Sequence, residues 1–182
     1  RMDDYWGYTE AFYSVGFRPG DVVQVTFNYH LSPAGLMFEE PLRNLGCASI
    51  PAGPTDPGTQ LDIMQKLRVS GYVGTASYLM HLAQKAEEKG INLRKDLFQE
   101  VAFVTGERLS EKMRNQLEKK FDIILRQGYG TADVGCIGYE CFHKTGLHIS
   151  NRCYVEICHP DTGIPLKDGE VGEIVVTSFK IG

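Results

Sequence analysis

"EVAFVTGERLSEKMRNQLEKKFDIILRQGYG", residues 100–130, is the stretch on which the fold turns. The apolar run Val101-Ala102-Phe103-Val104 is short, rich in β-formers and closed by Gly106, so "EVAFVTG" (100–106) reads as a buried strand. Ser110 then offers a side-chain oxygen to a helix N-terminus, and Met113 and Leu117 stand four apart on the inward face of that helix. "DIILRQGYG" (122–130) is the next strand. Strand, helix and strand in direct succession make a right-handed crossover, which requires the two strands to run parallel.

The same grammar extends towards the N-terminus. "VVQVTF" (22–27) and "CASIPA" (47–52) read as strands. Asp56 before Pro57 is a cap followed by proline at the first helical position, opening a helix through about Val69. "GYVGT" (71–75) is a short strand. Ser77 is expected to cap "YLMHLAQKAEEKG", whose Leu79, Leu82, Ala83 and Ala86 form an apolar stripe that Gly90 ends. The fold class that follows is α/β: a mainly parallel sheet with helices on both faces over 1–145. Beyond 145 the pattern changes. "GLHIS", "CYVEICHP" and "GEIVVTSF" are strands joined by Pro160-Asp161-Thr162-Gly163 and Lys167-Asp168-Gly169 turns, so 146–182 is expected to be a small antiparallel β appendage. "DDYWGYTEAFYSVG" reads as the last turns of a helix and Lys180-Ile181-Gly182 lies just past a strand, so the chain reads as a portion of a larger protein. No internal repeat is present.

Composition removes several classes of function. Hydrophobic residues make up 42% of the chain, enough to build a core. A formal net charge of −4 provides no general attraction to nucleic acid or to an anionic membrane. No apolar run approaches the roughly 20 residues that span a bilayer. "RMDDYWGYTE" lacks the apolar stretch of a signal peptide, so a cytoplasmic protein is expected. Tyr5, Trp6 and Tyr8 sit beside acidic residues and read as a packing face rather than a base-stacking platform. The mixed charges of "QKAEEKG" and "SEKMRNQLEKK" read as solvated helix faces. A homodimer is left open.

Ligands of parallel α/β sheets bind beyond the carboxyl ends of the strands. Two such ends carry suggestive residues: Thr105-Gly106-Glu107, and Gly128-Tyr129-Gly130 followed by Thr131, Ala132 and Asp133. Glycine lets backbone approach a flat or anionic ligand, and a tyrosine face stacks on a base. A hydroxyl and a carboxylate can serve phosphate and Mg²⁺. An ordinary turn remains the competing reading of each exit taken alone. A shared site requires the two exits to converge on one rim.

"RQGYGTADVGCIGYEC", "TGLHIS" and "YVEICHPDTGIPLKDGEVGEIVVTSF" together resemble the adenylate-forming acyl-CoA ligases, most closely their phenylacetate–CoA ligase branch. The resemblance runs over nearly the whole chain. "GFRPGDVVQVTFNY" is similar to the segment before that family's acyl pocket, and "VTGERLSEKMRNQLEKKF" to its adenine-side loop and helix. It implies that Tyr129 packs on adenine, and that Gly106 and Glu107 form the loop beside the base. Gly130 and Thr131 would belong to the same nucleotide site. Asp133 would hold Mg²⁺ in place of the family's usual Glu, as the one catalytic side chain. Asn28, Tyr29 and His30 would line the acyl pocket. A departure accompanies this match: the family's hydroxyl before the acid is here Ala132. The implied substrates are ATP, coenzyme A and a small aromatic carboxylic acid, with an acyl-adenylate and then a thioester as products. The family's phosphate loop and its C-terminal lid with a catalytic lysine have no counterpart in this chain, so the chain alone is expected not to turn over.

Four of the five cysteines, Cys136, Cys141, Cys153 and Cys158, are clustered. In a reducing compartment such clustering favours metal ligation over disulfides. Cys136, Cys141, His148 and Cys153, with His143 in reserve, would satisfy a closed tetrahedral structural Zn²⁺ site. The competing reading is buried thiols with scattered histidines. Two other functions compete with the CoA ligase. One is a nucleotide- or zinc-binding or partner-docking module that has lost the chemistry, for which Ala132 and Asp133 speak. The other is a ligase that stops at the adenylate or uses another acceptor.

Overall fold

The computed structural model describes residues 4–179; the terminal Lys180-Ile181-Gly182 lies outside the described residues. Among the described residues nine strands and five helices follow in the order α1 (Thr9–Val15), β1 (Val22–Val25), α2 (Ala34–Leu45), β2 (Ala48–Pro51), α3 (Pro57–Lys66), β3 (Gly71–Gly74), α4 (Ala76–Glu88), β4 (Val101–Val104), α5 (Glu111–Phe121), β5 (Ile124–Thr131), β6 (Gly135–Tyr139), β7 (His148–Ile149), β8 (Cys153–Cys158) and β9 (Glu173–Ser178). The large sheet runs β2-β1-β3-β4-β5-β6-β7, and β8 and β9 form a separate ribbon.

Strands β1 to β5 are parallel, as the crossover reading of 100–130 requires: Val101 pairs with Ile124 and Val104 with Gln127. The strand period sorts their side chains between two cores. Ala102 and Val104 enter a cluster with Leu79, Leu82 and Leu117 of α4 and α5. Val101 and Phe103 enter the other, with Phe12 of α1 and Phe38 and Leu42 of α2. Helices therefore cover both faces of the sheet.

The helix starts follow capping chemistry. Asp56 accepts the N–H of Thr59 at 2.8 Å and Ser110 that of Met113 at 3.2 Å. Helix α4 begins earlier than its sequence suggests, because Thr75 rather than Ser77 is the cap and accepts the N–H of Tyr78 at 3.2 Å. Asp122 belongs to the end of α5, in the left-handed conformation at φ 62°, so β5 starts at Ile124. Residues 4–8 precede α1 as non-helical chain. Helix α2 has no counterpart in the sequence reading. Gly35 and an internal Pro41, which supplies no N–H, interrupt its pattern, yet Met37, Phe38 and Leu42 hold its buried face.

The antiparallel part of the chain begins inside the large sheet. Strand β5 folds back into β6 with a bulge between Tyr129 and Gly130, and β6 pairs antiparallel with β7 through Gly138–Ile149 and Tyr139–His148. Position 145 falls in the connection between β6 and β7, two strands of one sheet. The β8–β9 ribbon runs from Cys153–Ser178 to Cys158–Glu173.

Candidate functional site

The exits of β4 and β5 do converge. A cavity of about 500 Å³ opens between them, lined by Thr105, Gly106, Glu107 and Arg108 on one side and by Gln127, Gly128, Tyr129 and Gly130 on the other. Leu147 and Ile174 complete it from the β6–β7 connection and from β9. Tyr129 is 43% exposed, so its ring faces open space rather than core. Gly106, at φ +83°, turns the chain away from β4, and the space a side chain would take there faces Phe27.

The two glycines of β5 have another cause than ligand approach. A Cβ on Gly128 would lie 2.2 Å from the Phe103 ring, and one on Gly130 would lie 2.3 Å from the carbonyl oxygen of Gly135 and 2.2 Å from the Tyr8 hydroxyl. Buried aromatic rings and the β6 backbone press on the core side of β5. Only a strand without side chains at 128 and 130 can lie so close, and the alternation then sends Tyr129 into the cavity.

Glu107 lines the cavity with its loop but uses its carboxylate elsewhere. Its Oε1 accepts the backbone N–H of Ser77 at 2.6 Å and its Oε2 accepts the Ser77 hydroxyl at 2.9 Å. The loop is thereby strapped to the first turn of α4, where a carboxylate also meets the positive end of the helix.

Thr131 and Asp133 do not line the cavity. Both are exposed on the β5–β6 turn, where the Thr131 hydroxyl accepts the N–H of Val134 at 3.1 Å. Trp6 donates to the carbonyl of Ala132 at 3.3 Å and anchors that turn. A lone exposed carboxylate at such a place can hold Mg²⁺ only together with phosphate oxygens, which is how the ion is commonly held beside nucleotides.

Asn28, Tyr29 and His30 follow β1. Asn28 and His30 are exposed, and the Asn28 side chain accepts the N–H of His30 at 2.7 Å. Tyr29 is half-buried, with its ring packed over Gly35. Burial first, and the Glu39 carboxylate second, push its phenol well above the usual range. Phe27 reaches from this segment towards Gly106, so the β1 exit adjoins the same rim.

The cysteines are not gathered around a metal. Among the described residues no group of three or more His, Cys, Asp or Glu is placed to hold an ion. His148 pairs with Tyr139, three residues along β6 from Cys136, which is about 10 Å at the usual strand rise. It is exposed, whereas Cys136 and Cys153 are buried. Burial, and then the neighbouring Cys153, push the Cys136 thiol up to about 12, and burial also raises Cys153. The Cys153 thiol instead lies 3.7 Å from the carbonyl of Ser150 and 3.8 Å from that of Ile137. These residues do not fit a structural zinc site; the thiols pack as small apolar groups.

Arg108, Gln127, Leu147 and Ile174 were not singled out in the sequence. Arg108 adjoins Glu107 and Gln127 immediately precedes the glycine-broken exit, so adjacency was an available signal. Nothing local marks Leu147 or Ile174, which only tertiary folding brings to the cavity.

A family model described as "AMP-binding enzyme" matches residues 6–181. The chain is 30% identical over 170 residues to a phenylacetate-coenzyme A ligase of Pseudomonas putida, and 27% identical over 176 residues to one of Escherichia coli K12. Each match covers 91% of this chain, which spans 38% and 39% of the relatives' lengths. Among solved structures, a 2-hydroxyisobutyryl-CoA ligase in complex with 2-HIB-AMP superimposes with a TM-score of 0.88 at 21% identity, covering 96% of this chain and 38% of the other. A benzoate CoA ligase from Burkholderia xenovorans LB400 gives 0.74 at 16% identity, covering 96% and 37%. These two likenesses establish the fold.

Proposed function

The chain belongs to the AMP-binding enzyme family, and from that premise we propose that it is the nucleotide-holding part of an ATP-dependent acyl- or aryl-CoA ligase. The cavity between the exits of β4 and β5 carries this reading, because its open Tyr129 face and the opposed backbone of Gly106 and Glu107 suit a purine between them. Its volume matches that of ordinary small-molecule sites, about 300–1,000 Å³.

In this reading a carboxylate oxygen of the acid bonds to the α-phosphorus of ATP, and the bond to pyrophosphate breaks. The coenzyme A sulfur then bonds to the acyl carbon of the adenylate, the thiol proton is released, the acyl carbon–oxygen bond breaks, and AMP leaves with the bridging oxygen that the carboxylate had supplied. Charge builds on phosphoryl oxygens, so catalysis rests on positioning and on cations rather than on a protein nucleophile. Tyr129 holds the base, the loop 105–108 defines its edge, and Gly130 and Thr131 lead the chain towards the phosphates. Asp133, with phosphate oxygens, would hold Mg²⁺, which neutralises their charge. Tyr29, with Asn28 and His30 nearby, adjoins the acid, which is a small aromatic carboxylate by analogy with the phenylacetate-coenzyme A ligases. The chain alone binds nucleotide without turning over.

Pyrophosphate release by the full-length protein, over a panel of aryl and aliphatic acids with and without coenzyme A, tests the chemistry. AMP titration of the chain itself tests the site. Absence of acid-dependent pyrophosphate release together with absence of AMP binding sinks the proposal. Release that needs no coenzyme A, with the adenylate as the final product, replaces it with a ligase that stops at the first step.

A further inference from the structure

An ion pair lies beneath the cavity, shielded from solvent. Arg114, on the inner face of α5, is fully buried, and Glu140, the residue after β6, is 2% exposed. Arg114 Nη2 donates to Glu140 Oε1 at 2.6 Å, Nη1 to the carbonyl of Leu125 at 2.9 Å, and Nε to Glu111 at 3.1 Å. Replacing a buried ion pair by apolar residues of similar volume is often neutral or stabilising, because the two desolvation costs offset the attraction. Stability is therefore a poor reason for this pair, and the other bonds of Glu140 point to a better one.

Glu140 Oε2 accepts the backbone N–H of Gln127 at 2.9 Å, and its Oε1 accepts the Gln127 side-chain amide at 3.0 Å. With its NH₂ held there, the Gln127 amide presents its oxygen to the N–H of Leu109, 3.4 Å away. An amide has one donor end and one acceptor end, so only one orientation serves both partners. Gln127 belongs to the β5 wall of the cavity, and Leu109 ends the loop that forms the β4 wall. A continuous hydrogen-bonded path thus runs from Arg114 in α5 through Glu140 and Gln127 to the opposite wall.

We propose that Arg114 and Glu140 are positioning residues: they orient the Gln127 amide and, through it, set the spacing between the two walls of the cavity. The effect on ligand affinity rests on the nucleotide reading given above, whereas the bracing of the loop stands apart from it.

The test compares the wild-type chain with the paired variant Arg114→Met/Glu140→Leu and with Gln127→Ala. The pair removes both charges together and leaves neither uncompensated. Three readouts are taken: the melting temperature, amide exchange at Leu109, and AMP affinity by titration calorimetry. Expected are a cooperative unfolding transition at a melting temperature lowered by the loss of the Gln127 N–H and Leu125 carbonyl partners, faster exchange at Leu109, and AMP affinity reduced by about tenfold, equivalent to about 1.4 kcal/mol. Gln127→Ala should reproduce the last two effects with the ion pair intact, and it carries the test if the paired variant does not fold. Unchanged exchange at Leu109 overturns the proposal, as does unchanged AMP affinity in a variant whose Leu109 exchanges faster. A wild-type chain that binds no AMP overturns the nucleotide reading instead, and faster Leu109 exchange in the variants then still supports the bracing.

Discussion

The carboxylate of Glu107 accepts both the backbone N–H and the hydroxyl of Ser77, at 2.6 and 2.9 Å, and so fastens the loop after β4 to the first turn of α4. The side chain of a cavity-lining residue thereby acts on a helix rather than on the cavity. Glu107→Ala is expected to cost about 1 kcal/mol, as loss of a helix-terminal acceptor does, and to weaken AMP binding by freeing the loop. Glu107→Gln keeps one acceptor and should lie between. Urea unfolding and calorimetric titration measure the two effects, and an Ala variant with native stability and faster exchange nowhere in 105–108 contradicts the strap.

Tyr129 stands 43% exposed, so truncating it removes little core. Tyr129→Ala should therefore leave the melting temperature close to native while AMP affinity falls by the value of one base stack, about 1–3 kcal/mol. Tyr129→Phe should bind almost as wild type does. Equal affinity of the Ala variant and the wild type would remove the ring from the site.

Gly128→Ala drives a methyl group to 2.2 Å from the Phe103 ring. A loss of about 1–3 kcal/mol is expected from overpacking, and Phe103→Leu in the same chain should recover part of it. Gly130→Ala meets the Gly135 carbonyl oxygen at 2.3 Å as well as the Tyr8 hydroxyl. Backbone yields less than a side chain, so this variant should be the less stable of the two. Thermal unfolding of the three variants decides the order.

Burial raises the Cys136 thiol from 9.0 to about 12, with Cys153 adding to the shift. The folded protein then keeps this proton to higher pH than the unfolded chain does, so the contribution to stability is complete below about pH 9 and is lost as pH rises towards 12. Cys136→Ala should flatten the slope of unfolding free energy between pH 8 and 10. At pH 8 a soluble alkylating reagent should modify the partly exposed Cys141 well before Cys136. Reaction of Cys136 first, or zinc retained in stoichiometric amount by the purified chain, would contradict the packing described here.

The parallel core was legible because its signals are local. Val101 to Val104, the Ser110 cap and the 122–130 strand each carry their own chemistry, and each fell close to its place. Helix α2 escaped because Pro41 breaks a pattern that only the packing of Phe38 and Leu42 against the sheet sustains. Thr75 rather than Ser77 caps α4 because the helix starts at Ala76, which places Ser77 inside the first turn, where it donates to Glu107, a partner 30 residues away. The cysteine cluster misled because closeness in sequence is not closeness in space: β6 and β7 hold Cys136 and His148 in register positions about 10 Å apart.

By itself the sequence determined the parallel pairing around β4 and β5, the Asp56 and Ser110 caps and the two exits at 105–107 and 128–130, since propensity, periodicity and capping act over a few residues. Tertiary structure alone decided that those exits face one cavity, that Leu147 and Ile174 close it, and that Gln127 is held from below by Arg114 and Glu140. Those relations depend on which surfaces pack together and on which charges lose their water, and both are properties of the folded chain as a whole.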